Sequence, residues 1–493
     1  MKKFRSLNDI RSWSYAAAAF IFALTIRAIP EVLSWPYPIG FDTIHAYVPW
    51  IISRYPLDLP LSDFFSNTIL FPLIAVLVND LLHNPVLTIK VLGPMLYALV
   101  GLTVYLFCRR VLGWNFTKSL LTVFICSIYF VSLRISWESY KQMLGTVFLF
   151  LAMTCKSLSD TRLSKTFTPI LSAMTALTHE IATVILMTVL AVDFFVSRRK
   201  STNDTTDVLL SLLVAAGLFF YNVHYRFLNT SMLPLESFDE EKFSLALYIF
   251  GFILYCYSFV LPVIPFGVRR IRSHHVHSWM IMAFIIGVWP TIYPDSAPLL
   301  WFRWIIFMVY PIMFYFVEGV YAVLREKRRN FVVLVAVSLT MIIVSAGYYL
   351  TTGPYNAFPY FSHFNPYKSY IQSSMLQSGI PLDDIPPTLQ ALEWLSKNAK
   401  GVVVLHESFH AWTILCDCKI DNLIVVKERR LTSPNRNNFA EILVRMTQKT
   451  EEKVYTIWWL NGHGWYNVYT LPREFYLEIA FEDIAVYVYN PFS

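Results

Sequence analysis

The chain has 493 residues, of which 56% are hydrophobic, 17% aromatic and only 15% charged. A water-soluble domain carries roughly a quarter charged residues, so this composition excludes a soluble globular enzyme and indicates a membrane protein. The formal charge of +7 is gathered in short basic clusters between apolar runs, which suggests topology and not nucleic-acid binding.

In chain order, a basic N-terminus, Met1 to Arg11, leads into an apolar run at Trp13–Ile29. Pro30-Glu31-Val32 stands where a small-residue cleavage site would be needed, so the run reads as a retained first helix. Further apolar runs lie at Leu87–Cys108, Phe116–Leu133, Trp137–Cys155, Phe167–Leu177, Ile181–Val196, Val208–His224, Leu245–Phe266, His277–Tyr293, Leu299–Leu324 and Phe331–Leu350. Most approach the roughly 20 residues needed to cross the hydrocarbon. The two short runs that begin at Phe167 and Ile181 are expected to form a tilted pair or a re-entrant hairpin. Basic clusters at Lys2/Lys3/Arg5, Arg109/Arg110, Lys156/Arg162/Lys165, Arg198/Arg199/Lys200, Arg269/Arg270/Arg272 and Arg325/Lys327/Arg328/Arg329 alternate with acidic junctions. With about eleven spans every cluster falls on one side, which predicts an N-in, C-out topology. Counting Asn67–Leu82 as a span would invert that order. It is therefore assigned to a long first outer loop, 30–86, as a membrane-surface or re-entrant helix.

Beyond Leu350 the pattern changes. Residues 351–384 read as an interfacial linker, and 385–493 alternate between strands (Val402–Leu405, Leu423–Val426, Val454–Leu460, Ile484–Tyr489) and helices (Thr388–Asn398, Phe409–Leu415, Phe439–Lys449). The predicted fold is an all-α polytopic membrane bundle over 1–350 with a C-terminal extracytoplasmic α/β domain. Six cysteines are scattered, with Cys416 and Cys418 close together, and no disulfide framework or C-x-x-C knuckle is visible.

Polar residues gather at the predicted outer helix mouths. Asp42, in Gly40-Phe41-Asp42-Thr43, sits between a Pro/Gly turn and a helical run. A half-buried carboxylate there can take a proton from a hydroxyl nucleophile, or simply cap the helix. In Trp137-Glu138-Ser139-Tyr140-Lys141, Glu138 and Lys141 are spaced to share a helix face, either as a second carboxylate with a phosphate-binding ammonium or as an ordinary ion pair. Arg303, in Trp301-Phe302-Arg303-Trp304, lies inside an apolar helix. Its fork suits a lipid phosphate, and snorkelling within an aromatic belt is the alternative. His179-Glu180 is a weaker candidate of the same kind.

His406-Glu407-Ser408-Phe409-His410 matches H-E-x-x-H, but zinc hydrolysis requires both histidines on one helix face, and His406 directly follows a strand. No metal site is assigned. Asn229-Thr230-Ser231 is a glycosylation sequon on the predicted outer side.

A retained first helix, a long first outer loop with an early Asp, and charged residues at later outer mouths resemble the GT-C-type glycosyltransferases. Gly40-Phe41-Asp42-Thr43 with Tyr47 is similar to the first-loop segment of archaeal members, and Leu177-Thr178-His179-Glu180 and Trp301-Phe302-Arg303-Trp304 also look like segments of that group. The chain lacks the adjacent Asp-Glu pair of protein mannosyltransferases. Trp458-Trp459-Leu460-Asn461-Gly462 only echoes the sequon-binding motif of oligosaccharyltransferases. The resemblance implies a multi-pass cell-membrane enzyme, hexosyl- or mannosyltransferase-like, that inverts a single sugar. Its donor would be a polyprenyl (dolichyl) phosphate sugar, and its acceptor a lipid-linked glycan or a protein at the outer face. Asp42 would be the general base, Arg303 and Lys141 would bind the donor phosphate, and Glu138, His179 and Glu180 would orient the acceptor. No cofactor is required, a divalent cation is compatible with Glu138, and no nucleic acid is involved. The alternatives are a membrane-anchored binding or assembly protein, and a lipid-linked-saccharide transporter, which would bury charges at mid-bilayer and repeat its helices.

Overall fold

The computed structural model describes residues 10–59, 68–158, 162–198, 203–229, 235–236, 242–294, 297–298, 301–326, 329–351, 380, 382–426, 438–460 and 471–491. Two compact units divide the chain: Met1–Leu33 with Trp50–Thr351, and Ser34–Pro49 with Thr352–Ser493.

The first unit is helical. Its main elements are α1 (Ile10–Leu33), α2 (Leu70–Leu82), α3 (Pro85–Arg110), α4 (Phe116–Ile128), α5 (Phe130–Glu138), α6 (Tyr140–Lys156), α7 (Arg162–Ala176), α8 (Glu180–Arg198), α9 (Asn203–Asn229), α10 (Lys242–Tyr257), α11 (His274–Ile292), α12 (Trp301–Phe307), α13 (Val309–Arg325) and α14 (Arg329–Thr351). Local chemistry sets several of the ends. Asn84 caps α3 by accepting from the Leu87 N–H at 2.9 Å, with Pro85 at the first helical position, and Asn115 caps α4 from the Lys118 N–H at 2.8 Å. Small residues bring α1 and α3 together. Ala19 and Ala23 are fully buried, and a Cβ on Gly101 would stand 2.8 Å from that of Ala23.

All eleven apolar runs fall on helices, but five helical stretches, Ser12–Leu33, Pro85–Arg110, Thr205–Val223, His274–Ile292 and Trp301–Arg325, are long and apolar enough to cross a membrane. Several of the others are shortened by breaks the composition does not mark. The predicted run Phe116–Leu133 is interrupted at Tyr129, and α4 and α5 meet there at 63°. The next break is at Ser139 and not between Leu133 and Trp137, so Glu138 ends α5 while Lys141 opens α6; the two do not share one helix. The run Leu245–Phe266 is likewise interrupted by turns after Tyr257. α1 continues through Pro30 to Leu33, beyond its predicted end. The apolar stretch in the first loop is helical as α2, at 13 residues shorter than a span.

The second unit holds a five-stranded mixed sheet: β1 (Val402–His406), β2 (Leu423–Val426), β3 (Val454–Trp459), β4 (Tyr476–Phe481) and β5 (Ile484–Tyr489), in the order β2-β1-β3-β5-β4. β1 runs parallel to β2 and β3, and β5 is antiparallel to β3 and β4. Helices α15 (Ile385–Asn398) and α16 (Asn438–Thr447) accompany it. β4 is an edge strand with an exposed face, and sequence reading missed it. Cys416 and Cys418 form a disulfide, which corrects the expectation of none. Trp458 and Trp459 are buried in β3, where the Trp459 indole N–H donates to Asp384 at 2.7 Å. Burial holds the Asp384 carboxyl above its usual range, against the pull of that bond. Most of the expected linker and sequon residues Thr230 and Ser231 lie outside the described residues.

Candidate functional site

In the first unit the break at Ser139 sits over a buried ionic network. Arg27, fully buried on α1, donates to Glu31 at 2.8 Å, to the Ser136 carbonyl at 3.1 Å and to the Tyr140 hydroxyl at 3.2 Å. Lys90 of α3 reaches the second Glu31 oxygen at 3.0 Å. Two cations thus share one carboxylate, each less than a tenth exposed. Desolvation makes such a group expensive unless every charge is bonded. Three further buried donors around the break, Arg27 Nη1, Trp137 Nε1 and Gln142 Nε2, have no hydrogen-bond partner among the described residues. A surplus of donors and positive charge in one place favours an anion.

Lys141 stands at the first turn of α6, beside this network. Its ammonium donates to the Thr68 hydroxyl at 3.0 Å and lies 4.7 Å from the Trp50 ring centroid. The Leu70 N–H just beyond Thr68 donates to the Leu177 carbonyl at 3.1 Å, which ties the start of α2 to the α7–α8 turn. That turn carries His179 and Glu180. His179 is buried directly over Gly145 of α6, where an added Cβ would meet the His179 Cβ at 2.8 Å. Lys141 and the His179-Glu180 turn are therefore parts of one mouth built from α2, α6, α7 and α8. An exposed bidentate pair, Arg54 with Asp80 at 2.9 and 3.2 Å, braces the same α2 at its far end.

Arg303 is half-buried in α12 and makes no hydrogen bond or ion pair with any described residue. Among the described residues no hydrogen bond joins it to Lys141 or His179. Glu138 is the last residue of α5. Asp42 belongs to the second unit. It precedes a single π-helical turn, Thr43–Tyr47, but its side chain makes no capping bond, so the simple capping role is not realised. The Thr43 hydroxyl instead folds back onto the Ile39 carbonyl at 2.8 Å. Gly40, at φ +86°, makes the turn that a side chain would resist. Ile44 anchors the segment in the core of the C-terminal sheet domain, and Tyr37 packs edge-on against Trp412 with centroids 6.1 Å apart.

The H-E-x-x-H match does not assemble a zinc-protease site. His406 ends β1 and accepts a hydrogen bond from the Ser408 N–H through Nδ1 at 3.2 Å, with its ring set among Phe409, Phe439 and Trp458 neighbours of the core. Sequence reading passed over Arg27, Glu31 and Lys90. The available signal was a basic residue inside the first apolar run, which demands a partner.

No protein-family model and no curated protein matches the chain. Among solved structures, the fold is similar to that of ArnT from Cupriavidus metallidurans, solved bound to undecaprenyl phosphate, with a TM-score of 0.51 at 9% identity over 97% of this chain and 98% of that one.

Proposed function

We propose that the chain is a GT-C-type membrane glycosyltransferase that moves one sugar, with inversion, from a polyprenyl phosphate carrier to an acceptor hydroxyl at the outer face. The observation that carries this reading is the near end-to-end fold likeness to a protein solved with undecaprenyl phosphate, joined to the GT-C resemblance of the first loop and the Arg303 segment. The donor-rich, cationic break at Ser139 and the half-buried Arg303 support binding of a phosphate. The Cys416–Cys418 disulfide supports an oxidising, extracytoplasmic setting for the C-terminal domain.

In this mechanism Asp42 takes the acceptor proton as the acceptor oxygen bonds to the anomeric carbon. The bond from that carbon to the phosphate oxygen breaks, and the lipid phosphate departs with both bonding electrons. Arg303 and Lys141 stabilise the charge that gathers on the leaving phosphate. Phosphate leaves without protonation, so one carboxylate suffices where a glycosidase needs two. Glu138, His179 and Glu180 orient the acceptor.

Purified protein supplied with polyprenyl phosphate sugars should transfer the sugar to a lipid-linked or peptide acceptor. Asp42→Asn should lower turnover by about 10²–10⁴-fold, the usual worth of a general base. Arg303→Ala should cost about 10²–10³-fold. Undiminished transfer by Asp42→Asn removes the mechanism, and failure of the wild-type chain with every polyprenyl phosphate sugar removes the activity.

A further inference from the structure

The geometry points to a zinc site that is distinct from the donor mouth, formed by Asp193 of α8 with His274 and His275 at the start of α11. His275 Nε2 lies 3.0 Å from both Asp193 carboxylate oxygens, and His274 Nε2 contacts the first of them. One ligand atom from each residue falls within 4.8 Å of the others. A tetrahedral zinc with bonds of about 2.0–2.1 Å holds neighbouring ligand atoms roughly 3.3 Å apart. The three side chains therefore stand close to chelating distance without a change of backbone.

Burial and access both suit a bound ion. The carboxylate side chain is 8% exposed and that of His275 is 11%, whereas His274 is 40% exposed. An aspartate inside the apolar run of α8 is costly, and two imidazoles turned to it from a second helix go beyond what a single ion pair requires. His274 and His275 also line a cleft of about 450 Å³, shared with Ser157, Arg270, Arg272 and Glu318, that gives an ion a path to the site. The nearby cations do not all oppose it, since Arg270 pairs with Glu326 and Lys118 pairs with Glu318. The third histidine of the cluster, His277, is already committed. Its Nε2 donates to the Ile271 carbonyl at 2.8 Å, and its Nδ1 accepts from the Tyr315 hydroxyl at 2.7 Å.

Two imidazoles and one carboxylate form a nitrogen- and oxygen-rich set that suits zinc better than calcium or magnesium. Three protein ligands leave a fourth position open toward the cleft. The ion would fasten α8 to α11 at the end of the bundle that carries Arg269, Arg270 and Arg272.

The full chain, purified in detergent and dialysed against a weak chelator, should retain about one equivalent of zinc by elemental analysis. Its thermal midpoint should fall when a strong chelator is added and recover with zinc chloride. The double variant His274→Gln with His275→Gln keeps amide donors toward Asp193 and so preserves a purely hydrogen-bonded role. It should bind zinc at least about 100-fold more weakly and lose the chelator response. His406→Ala should leave the zinc content unchanged. Wild-type protein without zinc, equal zinc in the glutamine variant, or zinc lost on His406→Ala would each overturn the proposal.

Discussion

At the scale of single residues, the most exacting feature is the triad of Arg27, Glu31 and Lys90. Glu31 is a carboxylate shared by two buried cations, which it meets at 2.8 and 3.0 Å. Replacing it with a neutral amide takes that shared negative charge from both the ammonium and the guanidinium. Glu31→Gln should therefore destabilise the first unit by about 3–5 kcal/mol, the usual cost of breaking a buried pair from one side. Adding Lys90→Met to that variant should recover part of the loss, because one buried cation is gone. Thermal unfolding in detergent checks this. If the two substitutions add as independent losses, the residues are not acting as one network. Arg27 was legible as an anomaly in the first apolar run, but its partners were not. Glu31 read as loop, because Pro30 marks a helix end by propensity. In the fold α1 carries that proline near its end, where few backbone bonds remain to be lost.

At the scale of elements, the sequence declared where helices exist better than where they break. Runs of apolar residues located the long described helices of the bundle, yet the interruptions at Tyr129 and Ser139 carry neither Gly nor Pro. Those breaks follow from packing against other helices and not from local propensity. They matter for the candidate site, since the turn at Ser139 starts α6 anew and places the half-buried Lys141 in its first turn. The position of α6 against α8 is set in turn by Gly145. A Cβ there would meet the His179 Cβ at 2.8 Å and the Ala182 Cβ at 3.2 Å, both of them close to backbone and unable to swing away. Gly145→Ala should thus push the α7–α8 turn outward at a cost of about 1–3 kcal/mol, as overpacking does. In the proposed mechanism that turn orients the acceptor through His179 and Glu180, so the variant should raise the KM for the acceptor more than that for the polyprenyl phosphate sugar. Unchanged acceptor KM in a folded Gly145→Ala protein would detach His179 and Glu180 from acceptor binding.

At the scale of the whole molecule, the sequence disclosed its class, its helical bundle and the small sheet domain at the end, because each rests on periodicity within a short window. The grouping of Ser34–Pro49 with the C-terminal domain rests on contacts between residues far apart along the chain, and no local pattern announces it. Ile44 is 2% exposed and belongs to the same core as Leu405, Ile457 and Val486. The segment that carries Asp42 is thereby held by the core of the sheet domain. In the proposed mechanism the position of the base then depends on this core. Ile44→Ala opens a hole in that core, and a displacement of about 1 Å at a reacting group can cost 100-fold in rate. The substitution should therefore depress transfer strongly in the wild-type background and add little once Asp42→Asn has removed the base. Equal losses in both backgrounds would mean that Ile44 serves stability alone, and that Asp42 does not depend on the C-terminal core for its position.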